Sequence, residues 1–346
     1  MRTKHPNILH CSLVGAAIAT LCALPATAQD TVKLKFADWL PPTHYTSAEG
    51  AVVLIEKAKE LAGDSLQIDY FPAEQLGKGA DMLRLGQSGI AEIVNIAPAY
   101  ITEKFPLSGV AELPNIYQQS CDGSLAFDEL ATGDGILAES EWKPNGMKVL
   151  FVGGLGAYRL LTAEKQVNTA ADIEGLKLRT AGGAMDMTAA AMKANSVRMP
   201  GPDVLPSLSR GTIDGVFFPL QSVRPWGLQD ALNHMTPDLG VGSFTIIYAI
   251  SDKSWNKLSP EMQNALSEAG AYATRHHCEF VQREEEKITA LLQAENGIVP
   301  TALPQADLET LEGLLSGVQN EWAKSMDDRG LPGTQVLNDF KAALAD

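Results

Sequence analysis

Hydrophobic and polar positions in this chain follow two alternating rhythms. Val32, Leu34 and Phe36 alternate with Lys33 and Lys35, the period-two pattern of a half-buried strand. The polar stretch DWLPPTHYTS follows, and Ser47 is expected to cap a helix that runs to about Leu61 and stops at Gly63. Leu66, Ile68 and Tyr70 predict a second strand, residues 79–85 a short helix, and the apolar run 90–96 a third strand. After Pro144 the rhythm restarts. Strands are predicted over 147–152, 176–180, 197–199 and 215–218, with helices over 188–194 and 202–209. Alternation of this kind predicts an α/β layer fold with a largely parallel sheet.

A faint echo links the two halves. LRLGQSGIAEIVNI (83–96) and LSRGTIDGVFFPL (208–220) each pass from a helix end through a glycine turn into a buried strand. Any helix-to-strand turn shows these features, so internal repeat and coincidence both stay open.

The longest pattern lies near the C-terminus. Ser259 suits an N-cap, Pro260 the first helical position and Glu261 the first turn. Apolar residues recur at Met262, Leu266, Ala269, Ala273, Phe280, Ile288, Leu291 and Leu292, until Asn296-Gly297 ends the run. At 1.5 Å per residue such a helix is roughly 50 Å long. It is longer than one small domain and is expected to run along two, with a strand over 243–251 crossing between them. The expected division is a leader over 1–28, a first domain of 29–156 plus about 245–285, and a second of 157–244 plus about 286–346.

The leader comes from a separate pattern. Basic Arg2 and Lys4 precede an apolar run from Ile8 to Leu24, Pro25 breaks it, and Ala26-Thr27-Ala28 is a small-residue cleavage signal. Cleavage after Ala28 removes 28 of 346 residues and leaves 318, enough for two domains and a sizeable core. It also removes two basic residues, taking the formal charge from −15 to −17. That charge disfavours nucleic acid, and any anion site must be locally positive. The product is expected to be exported and soluble. Cys11 and Cys22 leave with the leader; Cys121 and Cys278 remain and either form a disulfide or stay as two buried thiols.

Catalytic motifs fail one by one. Gly154-Leu-Gly156-Ala-Tyr-Arg159 has Arg159 in place of the third glycine of a dinucleotide loop. Gly77-Lys78 has Pro72 where a phosphate loop needs its first glycine, and no G-x-S-x-G elbow occurs. His276, His277 and Cys278 are consecutive, so on a helix they fan around the axis instead of converging on a metal. No enzyme, cofactor or metal site is expected.

One stretch survives, DIEGLKLRTAGGAMD (172–186). A short strand delivers Arg179 to its carboxyl end, where open α/β sheets bind ligands. A guanidinium matches a carboxylate bidentately, and the glycines at 182 and 183 let a ligand approach the backbone. On these residues alone, Arg179 could equally be an exposed side chain paired with Asp172 or Asp186.

The segments GAYRLLTAEKQVNTAADIEGLKLRTAGGAMD and VRMPGPDVLPSLSRGTIDG, with FPAEQLGKGADMLRLGQSGIAEI and SDKSWNKLSPEMQNAL, resemble the solute-binding proteins of TRAP (tripartite ATP-independent periplasmic) transporters. The resemblance covers nearly the whole chain after the leader. It implies a two-domain α/β periplasmic binding protein fold (type II-like) with crossing strands and a long shared helix. It implies capture of a small organic acid in the cleft, hinge closure, and delivery to membrane permease subunits from the periplasm, as a monomer. Arg179 matches the family's carboxylate-clamping arginine and Arg159 a second one. Trp39 and Phe218 fall at cleft-lining positions, as do Gly182, Phe244 and Ala97, where sugar-acid binders carry asparagines. Tyr100 and His44 are further lining candidates. Apolar walls favour an apolar or aromatic monocarboxylate over a sugar acid or C4-dicarboxylate. A binding protein that senses its ligand for a membrane receptor would carry the same features.

Overall fold

The computed structural model describes residues 31–117 and 119–345, so the expected leader lies outside the described residues. The chain first lays down strands β1 (Val32–Ala37), β2 (Leu66–Phe71), β3 (Ile93–Ile96) and β4 (Met147–Gly154). It then builds a second set, β5 (Tyr158–Thr162), β6 (Lys177–Thr180), β7 (Asn195–Arg198), β8 (Gly215–Pro219) and β9 (His234–Thr236). Strand β10 (Thr245–Ser251) returns to the first set, and the short β11 (Val299–Pro300) joins the second. The result is two sheets, ordered β2-β1-β3-β10-β4 and β11-β9-β5-β8-β6-β7. Each is mixed: β1 lies parallel to β2 and β3, and β6 to β7 and β8, whereas β10 and β5 run antiparallel to their flanking strands. The two halves of the faint echo fall in different sheets, one leading into β3 and the other into β8.

Helices α1 (Val53–Ala62), α2 (Met82–Ser88) and α3 (Ser120–Ala131) belong to the first half of the chain, and α4 (Ala184–Ala191) and α5 (Val204–Ser209) to the second. A short α6 (Asp252–Trp255) precedes α7 (Pro260–Asn296), which is followed by α8 (Gln305–Asp327) and α9 (Gly333–Ala343). The ends of α7 are those the sequence predicts. Ser259 Oγ accepts a hydrogen bond from Met262 N at 3.3 Å, Pro260 opens the helix, and Gly297 closes it at φ 69°. Its 37 residues span about 55 Å.

Alternation along the second sheet explains why α7 serves both halves. On β5 and β8, Leu160 and Phe217 join the large core, while Leu161, Val216 and Phe218 join a smaller one on the opposite face. Along α7, Met262, Leu266, Ala269, Ala273 and Val281 pack into the large core, and Ile288 and Leu292 into the smaller. The helix therefore lies against α1, α3 and β4 at one end and against β11 and the turn Leu220–Ser222 at the other. The C-terminal helices also tie the halves, with α8 on α4 and α9 on α3. The two connections between the sheets run side by side: Leu155 N donates to Phe244 O at 2.9 Å and Tyr158 N to Gly242 O at 2.9 Å.

Three local expectations shift. Ser47 is not a cap: helical turns begin at Tyr45, a wide π-type turn covers Ser47–Val52, and Ser47 is buried inside it. Gly89 caps α2 in the left-handed region, which leaves Ile90 exposed and delays β3 to Ile93. Helix α4 starts at Ala184, directly after the two glycines. Cys121 and Cys278, left open by the sequence, form a disulfide between α3 and α7, with their Cα atoms 4.5 Å apart.

Candidate ligand-binding cleft

Strand β6 carries Arg179 beside Val197 of β7 and Val216 of β8. Its side chain is 1% exposed. The Nε group donates to Met199 O at 3.0 Å and Nη1 to Phe217 O at 3.3 Å, while Cζ sits 5.3 Å from the centre of the Phe218 ring. These two bonds aim the guanidinium beside Tyr100, whose hydroxyl is a further acceptor for it. Among the described residues no carboxylate lies within ion-pair distance of it. Asp172 instead completes a capping box with Thr169, and Asp186 accepts from Thr180 Oγ1. A buried cation without a counter-ion is costly.

Arg179 lines a narrow cavity between the halves of the molecule. Trp39, Leu40, His44 and Tyr100 come from the half built on the first sheet, and Phe218, Ser222 and Trp226 from the half built on the second. Tyr158, the first residue of β5, and Phe244, in the return connection, also line it. The walls are mostly rings. Trp39 tilts against Tyr100 at 5.2 Å between centroids, and Tyr100 against Phe244 at 5.3 Å. Among the described residues no Asp, Glu, Asn or Gln side chain contributes to the lining.

The polar groups of the wall are largely donors. Trp39 Nε1 is buried with no acceptor among the described residues. Tyr100 Oη accepts from Gly201 N at 2.9 Å, and burial raises its phenol above its ordinary pKa against the opposing charge of Arg179. His44 Nδ1 accepts from Thr46 N at 3.2 Å, which assigns the proton to Nε2 and makes Nε2–H the donor to Ser222 Oγ at 3.1 Å. Burial pushes this imidazole down to about 3, with the nearby His277 adding to the effect, so it is neutral. Behind Trp39, Asp38 accepts from Leu40 N (2.8 Å), Asn95 Nδ2 (2.6 Å) and Tyr70 Oη (2.8 Å). That fixes the end of β1 and hence the indole.

Comparison with known proteins decides the family. Residues 36–325 match the family model described as bacterial extracellular solute-binding protein, family 7. The chain is a member of the TRAP solute-binding family. The ectoine-binding periplasmic protein TeaA of Halomonas elongata is 23% identical over 272 residues, 78% of each chain. A TRAP solute-binding protein from Rhodoferax ferrireducens, solved with copurified benzoate, superposes at a TM-score of 0.82 with 24% identity, covering 91% of this chain and 98% of that one. One from Bordetella bronchiseptica, solved with bound (R)- and (S)-mandelate, also gives 0.82 at 24% identity, over 91% and 99%. The family and these structural neighbours are solute-binding proteins, and the two-domain α/β fold is theirs. No helix among the described residues is long and apolar enough to cross a membrane.

Six of the residues singled out in the sequence of this TRAP binding protein meet in the cavity: Arg179, Phe218, Trp39, Tyr100, Phe244 and His44. Three do not. Arg159 faces two open recesses outside it, drawn by the charges of Glu285 and Asp238, with Nη1 donating to Tyr158 O at 3.4 Å. Gly182, at φ 109°, leaves room for Arg198, whose Nη2 crosses to Ala99 O at 2.6 Å. Ala97 is buried beneath the turn that carries Tyr100 and accepts a hydrogen bond from Tyr100 N at 3.0 Å. The sequence reading missed Tyr158, Ser222 and Trp226. Trp226 had a signal, since a tryptophan in a loop soon after a strand's carboxyl end sits where α/β folds place ligands.

Proposed function

We propose that this chain is the periplasmic solute-binding subunit of a TRAP transporter, and that it clamps the carboxylate of a small organic acid on Arg179. The observation that carries this reading is a buried guanidinium with no acidic partner among the described residues, set in a ring-walled cavity between two halves. The walls favour an apolar or aromatic monocarboxylate. The benzoate and mandelate held by relatives of the same fold support that class.

The cavity as it stands has room for the centre of about one water, so a ligand enters only when the halves separate. Hinged closure of the first domain (29–156 plus about 245–285) on the second (157–244 plus about 286–346) then buries it, as in periplasmic binding proteins generally. The closed form, acting as a monomer exported by a leader cleaved after Ala28, delivers the acid to the membrane permease. Arg159, Gly182 and Ala97 act around the cavity and not on the ligand in this closed form.

A thermal-shift screen of organic acids identifies the class, because a ligand that binds only the folded state raises the melting temperature. Calorimetry on Arg179→Ala then tests the clamp. Loss of the partner of a buried carboxylate costs about 2–5 kcal/mol, roughly tens- to thousands-fold in affinity. Arg179→Lys is also expected to weaken binding, since an ammonium cannot form the paired fork. Unchanged affinity in Arg179→Ala overturns the assignment.

A further inference from the structure

Two indoles in the cavity come from opposite halves of the molecule. Trp39 follows β1 of the first sheet, and Trp226 follows β8 of the second. Their planes lie within 16° of parallel, with centroids 6.1 Å apart. Carbon faces in direct contact lie about 3.5–4.0 Å apart, so a flat ring held between two others needs about 7–8 Å. The two indoles are therefore at most 6.1 Å apart face to face, and the opening that admits one aromatic ring is at least about 1–2 Å.

Each indole packs closely on a glycine of its own half: a Cβ on Gly79 would stand 3.3 Å from Trp39 Cγ, and a Cβ on Gly201 would stand 3.1 Å from Trp226 Cζ2. Tyr100 tilts against Trp39 by 57° and His44 against Trp226 by 58°, closing the sides of the slot. Among the described residues no acidic or amide side chain lines the cavity. A ligand ammonium would find no anion there and would meet the charge of Arg179.

We propose that Trp39 and Trp226 form a slot that reads flatness, so that the site selects a planar aromatic monocarboxylate lacking an ammonium group, with Trp226 as the specificity-determining residue of the second half. This rests on the carboxylate clamp at Arg179. Closure sandwiches the ring between two faces, a stacking arrangement that a puckered alicyclic ring of the same size cannot make.

The test uses matched pairs that differ only in flatness: benzoate against cyclohexanecarboxylate, phenylacetate against cyclohexylacetate, mandelate against hexahydromandelate, with phenylalanine as the ammonium-bearing control. Calorimetry on the full mature chain is expected to show at least one aromatic member bound tenfold or more tightly than its saturated twin, and no binding of phenylalanine. Trp226→Leu is expected to reduce that ratio to within about twofold, and Trp226→Phe to keep part of it, with thermal melts confirming that both fold. Equal affinities within every pair in the unmodified protein, or a ratio unmoved by Trp226→Leu, overturn the slot while leaving the clamp standing. Binding that survives Arg179→Ala, or a protein that takes none of these carboxylates, overturns the clamp and the slot together.

Discussion

At the scale of single residues, the molecule uses buried charge in two opposite ways. Arg179 is buried with its guanidinium on the cavity. Glu112 lies outside that cavity. It is fully buried, neither carboxyl oxygen has a hydrogen-bond partner among the described residues, and burial pushes its pKa up to about 8. Thr245 and the charge of Arg198 pull the other way, but Thr245 lies outside hydrogen-bond geometry. The folded state therefore holds this proton more tightly than the unfolded chain, whose glutamate titrates near 4.5. The sign follows: the contribution to stability is fully present below about pH 4.5 and is lost as pH rises toward about 8. Glu112→Gln is neutral in both states and removes that slope. Its melting temperature should match the parent near pH 4.5 and exceed it by pH 8, by roughly 2–4 °C for each kcal/mol relieved. Parallel melting curves across that range contradict the assignment. Glu112 carries no motif, and nothing in its neighbourhood LSGVAELP announces burial. Arg179 could be placed at a strand end from the block 172–186 alone, whereas Trp39, His44, Tyr100, Phe218 and Phe244 reach the same cavity from scattered segments. Arg159 lies outside the cavity, near Glu285 and Asp238, which are far off in the chain and could not be read from its own segment.

At the scale of elements, α7 was legible and its seat was not. Cap, proline and terminal glycine are local chemistry, so both ends of the helix could be read from residues 259, 260 and 297. What it packs against is set by a bulge in another element. Tyr248 pairs with Phe151 and Ala249 with Val149, which leaves Leu150 as the extra residue of β4. A Cβ on Gly270 would fall 1.9 Å from Leu150 O. Glycine inside a helix normally costs about 1 kcal/mol relative to alanine, so Gly270→Ala looks favourable from sequence. Here the close approach reverses it. Gly270→Ala should destabilise by about 1–3 kcal/mol through overpacking. Gly313 and Gly317 on α8 have nothing within 4 Å of an added Cβ, and alanine there should stabilise by about 0.5–1 kcal/mol. Urea denaturation of the three variants compares them directly. A Gly270→Ala protein as stable as the α8 variants would show that α7 slides off the bulge at little cost. The same distinction explains the early helix: Ser47 had the right residue type for a cap, but the helical turns begin two residues earlier, at Tyr45, and bury it.

At the scale of the whole molecule, the disulfide and the cavity divide the work. Cys121 and Cys278 are 157 positions apart, and β4 through β10, including β5–β9 of the second sheet, lie inside the loop they close. No sequence rule brings such distant cysteines within bonding range, which is why the pairing stayed open. Disulfides persist in oxidising compartments, which fits export to the periplasm. On loop-closure entropy, a loop of this length is worth up to about 5 kcal/mol. Both ends of the bond lie on helices that pack on β4, and neither cysteine lines the cavity. The bond therefore staples one half of the molecule and leaves the separation between Trp39 and Trp226 unrestrained. Replacing both cysteines by serine should lower the melting temperature markedly and change the affinity for a bound organic acid by less than about threefold. Thermal melts and calorimetry on the same preparation separate the two effects. A tenfold loss of affinity in a protein that remains folded would mean that α7 carries strain from the staple into the cleft. Stability and binding would then share one element, because α7 enters the large core at Met262 and the smaller one at Leu292.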